Sequence, residues 1–142
     1  MIVGNAEEYI SRCLSSFKPI ADEICVVRAI GCLEPDQTLE IAHKQFGALI
    51  GEYRNKPGQE DWPHVDDFAA ARQQSFDMAS GDYCFWCDTD DILEAGADII
   101  RQLADRGGYP AFLFPYKIFG RGVVLPRERM TVRGVGKWRF PV

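Results

Sequence analysis

At 142 residues, 46% of them hydrophobic and 26% charged, the chain has the length of one domain and enough apolar content for a core, which excludes a disordered segment. A net charge of −5 and a pI near 5.0 argue against binding to a nucleic-acid backbone, which needs a basic face, yet leave room for a phosphate-bearing ligand bridged by a divalent cation. No apolar run reaches the roughly 20 residues of a membrane span, and charged residues follow Met1-Ile2-Val3 too soon for a signal peptide.

In chain order, Met1-Ile2-Val3 reads as the stub of a strand. Asn5 is expected to cap a helix, with Glu8 three residues on completing a capping box. Ile10, Cys13, Leu14 and Phe17 follow at i, i+3, i+4 and i+7, one apolar stripe that Pro19 ends. Glu23 to Val27 reads as a second strand, and a loop from Gly31 to Pro35 leads into a helix through Leu39, Ala42 and Phe46, closed by Gly47. Ala48 to Tyr53 is a third strand; Pro57, Gly58 and Pro63 mark a long polar loop. Asp66 or Asp67 opens a helix carrying Phe68, Ala71, Met78 and Ala79, closed by Gly81. Tyr83 to Cys87 is a fourth strand and Glu94 to Arg106 a fourth helix. Such alternation implies parallel strands joined by right-handed crossovers, an α/β layered domain. After Pro110 the pattern changes: Ala111 to Ile118 and Val123 to Val132 read as strands around Gly120-Arg121-Gly122. The first strand is short for a buried position and Trp138-Arg139-Phe140-Pro141-Val142 stops without a terminating signal, so the domain is expected to be truncated.

The chemistry concentrates at Asp88-Thr89-Asp90-Asp91, directly after the apolar Phe85-Trp86-Cys87. Ligands of open parallel sheets bind at the carboxyl ends of strands, and this cluster sits at such an end. Three carboxylates within four residues repel one another, a cost that a bound cation relieves, and hard oxygen ligands favour Mg²⁺ or Mn²⁺. The bland alternative is a solvated acidic turn ahead of the next helix. An EF-hand is excluded, because Ile92 and Leu93 stand where an oxygen ligand and a glycine are needed. Asp88-x-Asp90 also resembles the first motif of haloacid-dehalogenase-like phosphatases, which would make the chain an aspartyl-nucleophile phosphohydrolase. That motif follows a first strand, whereas this one follows the fourth.

Taken together, several segments resemble family 2 glycosyltransferases of the GT-A fold. They are Met1-Ile2-Val3-Gly4-Asn5-Ala6-Glu7-Glu8, Asp22-Glu23-Ile24-Cys25-Val26-Val27, Asp67-Phe68-Ala69-Ala70-Ala71-Arg72, and Ala79-Ser80-Gly81-Asp82-Tyr83 running on into the acidic cluster. The tail from Arg127 to Val142 is similar to a later family segment. The resemblance implies a three-layer α/β/α nucleotide-diphospho-sugar transferase domain with a mainly parallel central sheet. Residues 1–110 would be the nucleotide-sugar-binding region and 111–142 the start of an incomplete acceptor-side β region. It further implies a DXD motif in which Asp88 contacts the ribose and Asp90 holds Mn²⁺ or Mg²⁺. Arg72 would approach the diphosphate, and backbone near Val3 and Gly4 would line the base pocket. The partners implied are a UDP- or GDP-sugar and a glycan, lipid-linked or protein acceptor. Two positions depart from the family: Arg28 follows Val27 where an Asp usually reads the base, and Gln73 stands where Asn is usual. No catalytic base is identified; Glu128 is the one carboxylate after Asp105. A degenerate domain serving as a non-catalytic binding module therefore stands as an alternative.

Other constellations have plainer readings. Cys84 and Cys87 form a CxxC inside a strand, where i and i+3 side chains point to opposite faces, which favours packing over redox or zinc chemistry. The cysteines are five and scattered, an arrangement typical of reduced thiols in the cytoplasm. His43 reads as exposed, His64 as an isolated histidine close to Asp66-Asp67, with contact to the site the less favoured reading, and Trp62 as either a sugar platform or a loop pin. Gly134-Val135-Gly136 lacks the third glycine of a dinucleotide fingerprint.

Overall fold

The computed structural model describes residues 1–135. The expected tail residues Trp138 to Val142 and Gly136 lie outside them. Three short strands, β1 (Ile2–Val3), β2 (Cys25–Arg28) and β3 (Leu49–Glu52), form a parallel sheet in that order. The register sets Val3 beside Arg28 and Arg28 beside Glu52, so one row crosses the carboxyl ends of all three strands. Backbone bonds extend the ladder to Met1, whose nitrogen donates to the Cys25 carbonyl at 2.6 Å and whose carbonyl accepts from Val27 at 3.0 Å.

Strand alternation sends neighbouring residues to opposite faces, and each face has its own helical cover. On one, Val3 and Val26 pack with Ile10 and Leu14 of α1 (Ile10–Phe17) and with Ala42 of α2 (Thr38–Phe46). On the other, Ile2 and Val27 pack with Val65 and with Ala71 of α3 (Phe68–Asp77). The result is the expected three-layer α/β/α arrangement. Ile10, Val26 and Val27 are wholly buried, each worth about 1.5–3 kcal/mol against exposure.

The helix stripe at Ile10, Cys13, Leu14 and Phe17 is buried as its spacing requires. The capping box is not formed. Asn5 lies four residues before the N-cap, Tyr9, and its amide instead donates to the Glu34 carbonyl while its oxygen accepts from Asp36. Long-range bonding to the α2 approach wins over local capping because it satisfies both ends of the amide. Asp67, by contrast, caps α3 by accepting from Ala70 at 2.9 Å.

The fourth strand departs from the parallel run. β4 (Tyr83–Phe85) pairs antiparallel with β6 (Val123–Val132), which pairs antiparallel with β5 (Ala111–Ile118), giving a second sheet ordered β4-β6-β5. Three apolar residues bury equally well in either direction, and the partner is fixed only when β6 returns along the hairpin. Before that return, α4 (Ala97–Arg106) is tied to the α1–β2 connection by Arg101, which donates to Asp22 at 2.8 Å. Glu23 and Ser80, just ahead of β2 and β4, staple the two sheets through bonds of 2.7 and 3.0 Å.

Two tests follow from this frame. Gly31 and Gly47 both have left-handed backbone, but a β-carbon at Gly47 would meet nothing within 4 Å while one at Gly31 would lie 2.3 Å from the Trp62 carbonyl oxygen. Gly47→Ala should therefore cost about 1 kcal/mol and Gly31→Ala more than about 3 kcal/mol in urea unfolding. The Ser80 backbone N–H, with its hydroxyl, holds the Glu23 carboxyl below its ordinary value of 4.5. A depressed folded-state value means stability complete above 4.5 and lost as pH falls through the folded value. Glu23→Gln should flatten that stretch of the acid limb in unfolding measured against pH.

Candidate functional site

The acidic cluster forms a tight turn at the end of β4. Asp91 N–H donates to the Asp88 carbonyl at 3.1 Å, and Asp88 N–H donates back to the Asp91 carboxylate at 2.8 Å. Helix α1 supports the turn from below: the Cys13 thiol donates to the Asp88 carbonyl and the Ser16 hydroxyl accepts from Leu93 N–H at 3.0 Å. The first helical stripe thus does more than fill the core; it holds the turn in place.

Each carboxylate has a different environment. Asp91 is buried and accepts from the Tyr116 hydroxyl at 2.9 Å, with the Arg129 guanidinium 3.1 Å away. Asp88 is half-exposed and ion-paired with Arg72 at 3.0 Å, while Arg129 stands 3.8 Å from its other oxygen. Asp90 is exposed and has no hydrogen bond or ion pair among the described residues. Two guanidiniums against three carboxylates leave one negative charge, located at Asp90. Both arginines lie against Trp86, their guanidinium carbons 4.4 Å (Arg72) and 3.9 Å (Arg129) from the ring centroid; Arg129 also stands 4.5 Å from the Tyr116 ring. Cation–π contact of this kind fixes where the guanidinium planes sit. Burial, then the Asp91 carboxylate, pushes the Tyr116 hydroxyl above its ordinary value of 10.0, keeping it a donor.

Arg129 has its place because β6 is bulged there. Phe112 pairs with Met130 and Leu113 with Glu128, which leaves Arg129 without a partner on β5. A bulge inserts one extra residue and re-aims its side chain. Arg129 and Met130 are consequently buried in succession, against the alternation of a regular strand. Sequence reasoning missed Arg129, Tyr116 and Trp86, and it gave Asp91 no role separate from Asp90. With Arg127 and Glu128 directly before it, nothing in the sequence marked Arg129 as the one to be buried.

Of the residues expected in the site, Arg72 and Asp88 are brought together and Asp90 adjoins them. Val3 is buried, its carbonyl already accepting from Ala29 at 2.9 Å, so it forms a wall rather than a contact surface. Gly4 is exposed, with open space where a β-carbon would stand. Arg28 is ion-paired with Glu52 at 3.0 Å, so the row Val3–Arg28–Glu52 carries a carboxylate one strand over from where the resemblance expects it. His64 lies beside Trp62, ring centroids 5.0 Å apart, in the loop that closes over Gly31. Cys84 and Cys87 are both buried, and all five cysteines are free. Among the described residues no three His, Cys, Asp or Glu side chains converge as a metal cage. The donor set present, one free carboxylate, suits a hard cation whose coordination is completed by ligand phosphates and water.

No family model matches the chain. It is 35% identical over 105 residues to the TPR repeat-containing protein Synpcc7942_0270 of Synechococcus elongatus, a match covering 72% of this chain and 23% of that protein. The chain thus spans less than a quarter of that relative's length. Crystal structures of S. aureus TarS superpose on 86% of the chain: TarS 1-349 with a TM-score of 0.60 at 24% identity, over 36% of its own length, and TarS with 0.58 at 23%, over 22%. The fold is GT-A-like. No helix among the described residues is long and apolar enough to cross a membrane.

The division of labour in the turn is testable by stability. Asp90→Ala should change unfolding free energy by no more than about 0.5 kcal/mol. Asp91→Ala, which strands buried Arg129, should cost about 3 kcal/mol in the same urea titration.

Proposed function

We propose that this domain binds a nucleoside-diphosphate sugar and transfers its sugar, with Asp90, Asp88 and Arg72 forming the donor side of the site. The observation that carries the reading is the asymmetry of the acidic turn. Asp88 and Asp91 are neutralised by arginines, whereas Asp90 is left exposed and unpaired at the carboxyl end of β4. An isolated acidic turn that merely faced solvent would need neither a buried arginine nor a tyrosine donor beneath it.

Asp90 would hold Mn²⁺ or Mg²⁺, which supplies charge neutralisation for a diphosphate leaving group when bound. Arg72, already oriented by Trp86 and Asp88, offers its planar guanidinium to phosphate oxygens. Asp88 accepts from ribose hydroxyls. The row at the ends of β1, β2 and β3 faces the base, with Glu52 able to accept from a base N–H and Arg28 able to donate to a carbonyl of a UDP- or GDP-type donor. The acceptor and the catalytic base belong to the acceptor side; Glu128 is exposed on β6 opposite Leu113 and is not assigned that role. Five unpaired thiols accord with a cytoplasmic setting.

Calorimetric titration with UDP, GDP and their sugars, with and without Mn²⁺, tests this. Metal-dependent binding of at least one nucleotide is expected, lost in Asp90→Ala and weakened about 10- to 100-fold in Arg72→Ala. Failure of every nucleotide to bind a folded sample in the presence of Mn²⁺ overturns the donor-site reading. Binding without sugar transfer or donor hydrolysis would instead identify a non-catalytic module.

A further inference from the structure

A two-stranded hairpin is marginal in water unless a third strand or a covering layer stabilises it. Near its base β6 is flanked on both sides by strands, but from Val123 to Glu128 it pairs, among the described residues, with β5 alone. At the far tip Phe119 is 94% exposed and Val124 58% exposed. The register places Val123 opposite Ile118 and Val124 opposite Lys117, and consecutive strand residues point to opposite faces. Exposed apolar groups therefore occur on both faces of the tip. A protein laid against one face would leave the other in water, whereas a fluid apolar phase surrounds both.

Charge selects the phase. The hairpin arm, residues 113–128, carries three basic side chains, Lys117, Arg121 and Arg127, against one acidic, Glu128, in a chain whose net charge is −5. Arg121 and Arg127 are exposed on the hairpin, and Lys117 reaches Glu94 only at 3.8 Å. We propose that the β5–β6 tip docks on an anionic phospholipid surface. Phe119 and the adjoining valines enter the interface, and Arg121, Arg127 and Lys117 meet headgroup phosphates. Entry is shallow, because β5 is the outer strand of its sheet and its open backbone edge is costly in hydrocarbon. This inference is independent of the donor-site reading.

Co-sedimentation of the protein with vesicles of phosphatidylcholine alone, and of phosphatidylcholine mixed with phosphatidylglycerol, tests it. The mixed vesicles should pellet the protein, the neutral ones should not, and added salt should weaken the binding. Phe119→Ser and Arg121→Ser should each weaken partitioning about fivefold or more. Both side chains are exposed, so thermal melting should be unchanged, which separates lost docking from lost folding. Binding to neither vesicle, equal binding to both, or indifference to Phe119→Ser overturns the proposal. A concentration-dependent dimer abolished by Phe119→Ser, with no vesicle binding, overturns it in favour of a second copy of the chain.

Discussion

The arrangement of the acidic turn depends on one buried cation. Arg129 sits beneath Asp88 and Asp91 and against Trp86 and Tyr116, and without it the buried Asp91 carboxylate would have no cation beside it among the described residues. Buried ion pairs are costly to assemble, and their desolvation can equal or exceed the Coulombic gain. What such a pair does reliably is specify geometry: a planar guanidinium between two rings and two carboxylates has few alternative placements. The turn is closed by its own backbone bonds, but the direction in which Asp90 leaves it follows from where Arg129 anchors Asp91.

The same constraint links parts of the fold that the chain keeps far apart. Helix α1 reaches the turn through Cys13 and Ser16, α3 reaches it through Arg72, and the hairpin reaches it through Tyr116 and Arg129. Hydrogen bonding to Cys87, then burial, pushes the Cys13 thiol far above its ordinary value, so it serves as a neutral packing group and weak donor there. Four elements thus converge on four residues. A site assembled this way is held by the scaffold rather than by the loop that carries it.

How much of this was legible in the sequence depends on range. The stripe Ile10-Cys13-Leu14-Phe17, the Asp67 cap and the helix end at Gly47 were readable because each rests on contacts within a turn or two of chain. Asn5 misled because its local capping option lost to partners 29 and 31 residues away. The direction of β4 was hidden because its partners Met130 to Val132 lie at the far end of the later hairpin, and three residues carry no record of them. Asp88, Asp90 and Arg72 were found through their resemblance to a family and lie together in the structure; their ligands remain a proposal. Arg129 escaped because it breaks the alternation on which strand reading relies, and Arg28 looked anomalous only until Glu52 was seen beside it.

The bulge at Arg129 has a bearing on how the protein can vary. It divides β6 into a base bonded to β4 and β5 and an outer arm bonded, among the described residues, to β5 alone. Only the turn end of the hairpin, from Lys117 to Val124, is in effect separable, free to be lengthened, shortened or replaced while Tyr116 and Arg129 keep the carboxylates in position.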